Sequence, residues 1–293
     1  MDRSGKWLLV ILAAALALRI GAILAIDDPQ QVPRSAEESD APTYYVIADN
    51  IVSGNGYAYG EDLPPTAKRT PGYPLFIASV FKVFGRDFNR VRYSQAAIDV
   101  LTAYLVFLLA VLLFGSRAVG LLSTLAYALY PPAILSTTYI LTETLYTFFL
   151  VFFAVTAVLA LKGRGRPLYL VSGIALGLSS LIRPGLLFLP AALFVIALIT
   201  RRRAWTGFLI LALAFVVTLL PWVIRNNRDM GKPIPTSTLV GSNLYKGNHL
   251  ASGGAYPLSS DSLFSDDLRL RLSGADEVRR DSILQDEAIR TIR

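Results

Sequence analysis

The sequence predicts an all-α polytopic membrane protein with about seven membrane-spanning helices, and three observations carry that reading. First, 54% of the 293 residues are hydrophobic and the mean hydropathy is +0.50, more apolar than a water-solvated surface tolerates. Second, the apolar residues fall in runs approaching the roughly 20 residues that a helix needs to cross about 30 Å of hydrocarbon. Third, many of the Lys and Arg residues behind the net charge of +7 sit in short connectors between those runs, where they orient a chain against anionic headgroups. The same placement argues against a nucleic-acid partner. Without cysteine there is no disulfide framework and no thiolate metal site, and the lone His249 builds no histidine cluster.

The first run, Trp7 to Ile26, follows Arg3 and Lys6 and superficially resembles a secretory signal. It is long enough to span, carries Arg19 internally, lacks a clear small-residue cleavage site and precedes further spans, so it reads as a membrane helix. The loop 27–92 follows, with the acidic set Asp27, Asp28, Glu37, Glu38, Asp40, Asp49, Glu61 and Asp62 in its first part. Within it, Tyr44, Ile47, Ala48 and Ile51 recur at helical spacing and predict a short amphipathic juxtamembrane helix, ended by Ser53-Gly54-Asn55-Gly56. Tyr73 to Phe84 is apolar but too short to cross, and is expected as a re-entrant or interfacial segment.

Six further spans are expected at Tyr93–Phe114, Ala118–Leu135, Tyr139–Leu161, Pro167–Ile182, Gly185–Thr200 and Trp205–Ile224, the fifth and sixth of the full set joined by a tight turn at Arg183-Pro184. With the N-terminus in the cytoplasm, Arg117, then Lys162, Arg164 and Arg166, then Arg201, Arg202 and Arg203 lie inside. Loop 27–92 and the tail after Ile224 are then extracytoplasmic. The expected division is a membrane domain 1–224 that includes this loop, and a tail 225–293. The tail is rich in Gly, Ser and Asn up to about Ser260 and closes in a charged helical pattern, Ala275 to Arg293. That pattern leads us to expect a loop or domain that is truncated here.

Chemistry is sought in the water-exposed parts. Asp40 stands just before the amphipathic helix, where it could act as a helix cap or as a general base held at headgroup level, and the two roles can coexist. Lys68 and Arg69 precede Thr70-Pro71-Gly72-Tyr73-Pro74, a turn able to hold a guanidinium against a phosphate; ordinary interfacial snorkelling is the alternative. Arg86, Arg90 and Arg92 extend this basic zone toward headgroups. Arg19 and Asp99 lie within spans, where pairing with one another or lining a pathway are the two readings. Glu143, Arg183, Arg225 and Asn226 complete a set that the charge rule places on the same face as Asp40. Acids and cations converging at one interface suit transfer away from a phosphate leaving group.

These residues carry a resemblance. Asp40-Ala-Pro-Thr-Tyr44 with Gly54-Asn-Gly-Tyr57, Arg69-Thr-Pro-Gly-Tyr-Pro74, Leu141-Thr-Glu143, Arg183-Pro184, Pro221-Trp-Val-Ile-Arg-Asn226, Gly241-Ser-Asn243 and Gly247-Asn248 stand in an order, relative to the spans, that resembles the GT-C glycosyltransferases. The group in question contains bacterial lipid A aminoarabinose transferases, protein O-mannosyltransferases and related polyprenyl-phosphate-sugar enzymes. The resemblance implies a GT-C type bundle with a large extracytoplasmic first loop, located in the plasma (inner) membrane and serving the cell envelope. It implies Asp40 as the catalytic carboxylate, Arg69 with Lys68 as the lipid-phosphate contact, and Glu143, Arg183, Arg225 and Asn226 in support. The implied donor is an undecaprenyl- or dolichyl-phosphate sugar, hexose or pentose, and the acceptor a hydroxyl on a glycan, lipid or protein, reached with inversion. No metal is required by the resemblance, since its members differ on this point, and the sequence shows no dedicated metal cage. Two departures stand out: Ala41 occupies the place where a second carboxylate often adjoins the first, and the further spans and C-terminal domain usual in the class are missing.

Two readings of other classes compete. A secondary transporter or flippase would line its pathway with Arg19 and Asp99, although the paired repeats and matching broken helices typical of transporters are not evident. An inert membrane scaffold fragment is the other.

Overall fold

Apolar helices dominate the computed structural model, which describes residues 3–26, 40–200, 205–249 and 263–292. The chain divides into two compact units interleaved in sequence: Met1–Gln31 with Gly72–Pro221, and Val32–Pro71 with Trp222–Arg293.

In the first unit, α1 (Arg3–Leu24), α4 (Phe88–Phe114), α7 (Glu143–Leu161) and α10 (Trp205–Met230, in this unit through Pro221) are long and apolar enough to cross a membrane, the full set of such helices among the described residues. At about 1.5 Å per residue, the 22 residues of α1 and the 27 of α4 exceed the roughly 30 Å of hydrocarbon. Large side chains such as Trp7, Leu9, Leu113, Phe114, Leu213 and Val217 stand exposed on these helices. Apolar surface of that kind is stable only against lipid, so the protein is a multi-pass membrane protein. Shorter apolar helices fill out the unit: α3 (Gly72–Phe84), α5 (Arg117–Ala128), α6 (Pro131–Ser136), α8 (Pro167–Ile182) and α9 (Leu189–Thr200), the last preceded by a single tight turn at Pro184–Leu186. At 13 residues α3 is, as expected of this stretch, too short to cross.

The third apolar run departs from expectation. Instead of one span over Ala118–Leu135, the chain turns at Tyr130, whose backbone is extended, and restarts as α6. The cause is Pro131-Pro132: proline disfavours helical geometry in the residue before it and cannot complete the ladder of the preceding turn. By contrast Pro221 lies inside α10, which continues past the expected end at Ile224 to Met230.

Close helix contacts follow from small residues. At Gly173 and Gly177 of α8, an added Cβ would meet the Leu211 carbonyl with Ala214, and the Thr218 side chain. This small-xxx-small spacing lets α8 and α10 approach to backbone distance, which packs helices where lipid supplies no hydrophobic drive between them. The intramembrane charges Arg19 and Asp99 meet in a buried cluster. Arg19 pairs with Asp99, donates to the carbonyls of Ala15 and Ala128 at 3.0 Å each, and Asp99 accepts from the Tyr127 hydroxyl at 2.5 Å. Arg19 and Asp99 are both buried, so they tie α1, α4 and α5 together instead of facing a pathway.

The second unit holds α2 (Ala41–Ser53), the segment 54–71, α10 from Trp222, α11 (Val240–Asn248), α12 (Asp266–Leu272) and α13 (Glu277–Ile292). The α2 helix ends at Gly54 in the left-handed region, φ 87°, as the Gly-Asn-Gly signal predicts. Its expected apolar face is real, with Tyr44, Ile47 and Ala48 buried; it is covered by protein, where the sequence led us to expect a membrane surface. In the tail, Tyr245, Leu263, Leu268, Leu272, Leu284 and Ala288 form a small core between α11, α12 and α13. Gly241 allows the closest approach, since a Cβ there would collide with the backbone of Asp281 and Gln285 on α13.

Candidate active site

The site is built within the second unit, around the segment that follows α2. Asp40 occupies the residue before α2 but does not cap it: its backbone is helical and its side chain makes no bond to the helix amides. One reason is local, because Pro42 removes an amide and the Thr43 amide is taken by the Asp40 carbonyl at 3.1 Å. The carboxylate turns instead to Arg69, whose Nη2 donates to Oδ1 at 2.5 Å.

Arg69 is oriented from several sides. Its Nε donates to the Thr43 hydroxyl at 3.0 Å, and its guanidinium stands 5.3 Å from the Tyr44 ring centroid. The side chain is 19% exposed against 51% for Asp40, so the cation is largely held in protein while the carboxylate remains open to an incoming molecule. Burial alone would make the guanidinium easier to deprotonate, but the Asp40 charge with the nearby Tyr44 and Tyr59 outweighs it and holds the group above its ordinary value. Lys68 is exposed, with its ammonium 5.7 Å from the Tyr59 ring. Burial, the largest influence on Tyr59, pushes its phenol up to about 12 against the opposing charge of Arg69, so the hydroxyl stays protonated.

The backbone that presents Lys68 and Arg69 is pinned throughout. Tyr57 donates its hydroxyl to the carbonyls of Arg69 and Thr70 at 3.0 and 3.1 Å. Its own phenol is raised well above the ordinary value, chiefly by burial. Asn50 donates to the Ala58 carbonyl at 2.8 Å, and Ala58 bridges to Pro65. The Glu277 carboxylate accepts from the Thr66 hydroxyl at 2.7 Å and the Ala67 amide at 2.8 Å.

Arg225, backed by Asn226, holds the same segment from α10. Arg225 donates to the carbonyls of Thr66 and Tyr57 at 2.7 and 2.9 Å, pairs with Asp229 at 3.1 Å, and lies over both the Tyr57 and Trp222 rings. Asn226 is fully buried, accepting from Arg225 and donating to the Ile234 carbonyl at 2.8 Å. Two motifs far apart in sequence, Gly54-Asn-Gly-Tyr57 and Pro221-Trp-Val-Ile-Arg-Asn226, therefore meet: Tyr57 packs edge-on to Trp222 at 4.9 Å, and Arg225 clamps both ends of the segment between Tyr57 and Thr66.

In the first unit, Glu143 at the start of α7 pairs with Arg183 after α8 at 3.1 Å, both partly exposed. Arg92 is buried, donating to the Thr138 carbonyl at 2.8 Å, so it braces the connector before α7 where the sequence suggested a headgroup contact. Arg201, Arg202 and Arg203 lie outside the described residues, as does most of the acidic stretch ahead of Asp40. Among the described residues, no group of three or more His, Cys, Asp or Glu side chains is placed to hold a metal ion.

Sequence reasoning missed Tyr57's bonds to the Arg69 segment, Tyr59 and Glu277. Tyr57 stood in a quoted motif, but Glu277 offered only an acidic residue in the first turn of a charged helix, an ordinary preference.

Residues 68–224, more than half of the chain, match the family model described as dolichyl-phosphate-mannose-protein mannosyltransferase. The matched stretch contains Lys68, Arg69, Glu143 and Arg183; it begins after Asp40 and stops just short of Arg225. No curated protein and no solved structure matches the chain.

Proposed function

This chain belongs to the dolichyl-phosphate-mannose-protein mannosyltransferase family, and on that premise we propose that it moves a sugar from a polyprenyl-phosphate donor to an acceptor hydroxyl on the extracytoplasmic face, with Asp40 as general base and inversion at the anomeric carbon. The observation that carries this reading is the 2.5 Å pair between Asp40 and Arg69, a half-exposed carboxylate beside a cation, both on the loop that follows the first span. The carboxylate removes the proton of the acceptor hydroxyl as its oxygen bonds to the anomeric carbon from the face opposite the phosphate. The bond between that carbon and the phosphate oxygen breaks, and its electron pair leaves with the lipid phosphate. Arg69, with the exposed Lys68 beside it, offsets the negative charge that grows there, an interaction stronger in the transition state than in the bound donor.

The extracytoplasmic assignment rests on the basic connectors, Arg117 and Lys162 to Arg166 among them, which favour the cytoplasm and leave loop 27–92 on the other side. The transporter reading loses its support, because Arg19 and Asp99 are consumed in a buried cluster with Tyr127.

The test is transfer by the full chain in proteoliposomes, with mannosyl-phosphoryl polyprenol as donor and the product anomer determined. The expected product has the configuration opposite to the donor, and Arg69→Gln lowers kcat/KM for the donor about tenfold or more, the scale of one charge-assisted contact. Retention of configuration, or a kcat/KM for the donor indifferent to Arg69, contradicts the proposal.

A further inference from the structure

We infer that Glu277, from the tail helix α13, is a positioning residue for the Arg69 segment: its carboxylate fixes the backbone at Thr66 and Ala67 so that Arg69 meets Asp40. The inference rests on the proposed transferase reading and extends it to a residue outside the family-matched stretch.

Three donors converge on this one carboxylate. The Thr66 hydroxyl reaches Oε2 at 2.7 Å, while the Ala67 amide and the Thr238 hydroxyl reach Oε1 at 2.8 and 2.6 Å. Around it the Thr238 amide donates to the Ala67 carbonyl at 3.0 Å, and the Lys68 amide donates to the Thr66 hydroxyl at 3.1 Å. Thr66, Ala67 and Thr238 are all buried. The arrangement is a polar knot at which Thr66 and Ala67, Thr238 and the start of α13 are fastened together, two residues before Arg69.

An ordinary role for an acidic residue in a helix's first turn is to face the helix's own amides and dipole. Glu277 instead spends its acceptor sites on donors far away in sequence, and charge-assisted bonds of this kind fix geometry more tightly than neutral ones. The segment they fix has little freedom left: its carbonyls at Thr66, Arg69 and Thr70 are already bound by Arg225 and Tyr57. Removing the carboxylate leaves the Ala67 amide and two threonine hydroxyls buried without that acceptor, and the segment must shift to satisfy them. A shift there moves Arg69 relative to Asp40, and reaction geometry is sensitive to displacements of about 1 Å. On this account Glu277 never touches the substrate.

The experiment compares wild type, Glu277→Ala and Glu277→Gln as full chains in lipid nanodiscs, by hydrogen exchange of the amides at Ala67 and Thr238 and by steady-state transfer from mannosyl-phosphoryl polyprenol. Glu277→Gln retains a carbonyl oxygen for the Ala67 amide and the Thr238 hydroxyl. We expect Glu277→Ala to speed exchange at both amides and lower kcat/KM for the donor about tenfold or more, with part of the loss in kcat, while Glu277→Gln restores protection and most of kcat/KM. Unchanged exchange in Glu277→Ala overturns the inference, as does faster exchange with unaltered transfer, or a Gln variant as impaired as the Ala variant. Absence of transfer by the wild type is a different failure, that of the transferase reading; the exchange data and the affinity for undecaprenyl phosphate, expected to fall in Glu277→Ala, then judge the positioning role alone.

Discussion

An aspartate one residue before a helix ordinarily turns its carboxylate back onto the first amides, and Asp40 does not because Pro42 withholds one amide and the backbone claims another. That small local frustration leaves the side chain available to Arg69. Local sequence could name Asp40 and Arg69 as candidates from their residue types and settings; it could not tell that Asp40 leaves its helix uncapped, since the partner that holds its carboxylate is 29 positions away. The same limit explains Arg225, which the sequence offered as a supporting cation without showing that it holds the backbone carbonyls of Thr66 and Tyr57. Tyr59 gives this neighbourhood a pH signature. Its phenol rises from the ordinary 10.0 to about 12, so the folded protein keeps a proton that the unfolded chain loses first. The stability this contributes is complete below about pH 10 and lost as the pH climbs toward about 12. Unfolding followed from pH 9 to pH 12 should therefore show a steeper alkaline loss in wild type than in Tyr59→Phe, with a residual slope from Tyr57, which is shifted the same way. Superimposable profiles would count against Tyr59 being desolvated in the native state.

Helices whose signals are contiguous were legible, and helices whose fate depends on remote packing were less so. The Gly54 stop, the short α3 and the long apolar α4 and α7 follow directly from periodicity and capping. The break before α6 was also written in the chain, as Pro131-Pro132, yet it was overridden by hydropathy averaged across the run. What periodicity could not supply was the cover on α2, an apolar face that suits a membrane surface as well as a protein interior. Glycines show the same contrast. Gly54 announces itself as a turn, whereas Gly241 looks like loop composition and in fact sits where α11 meets α13. Gly241→Ala should thus overpack that contact at a cost of about 1–3 kcal/mol. Its measure is faster hydrogen exchange across α11 and α13 with the exchange of α4 and α7 unchanged. Wild-type protection throughout α11 and α13 would show that the contact yields without cost.

At the scale of the molecule, the first loop and the tail fold into one compact unit although the greater part of the membrane helices separates them in sequence. No local pattern signals that partnership, because each of its contacts is settled by residues more than a hundred positions apart, such as Thr66 with Glu277 and Tyr57 with Arg225. Charge in the connectors did signal sidedness, and the absence of native cysteine makes that testable. In sealed cells an impermeant maleimide should label Glu61→Cys and spare Arg164→Cys, both at exposed positions; the reverse pattern would place the site in the cytoplasm. The central claim, that the Asp40 carboxylate drives sugar transfer beside Arg69, is tested most directly by the turnover of mannosyl-phosphoryl polyprenol by reconstituted full-length Asp40→Asn, measured together with its affinity for undecaprenyl phosphate. Loss of a general base predicts a fall in kcat of about 10²–10⁴-fold with lipid-phosphate affinity retained within about threefold. Transfer at the wild-type rate by Asp40→Asn would contradict the account.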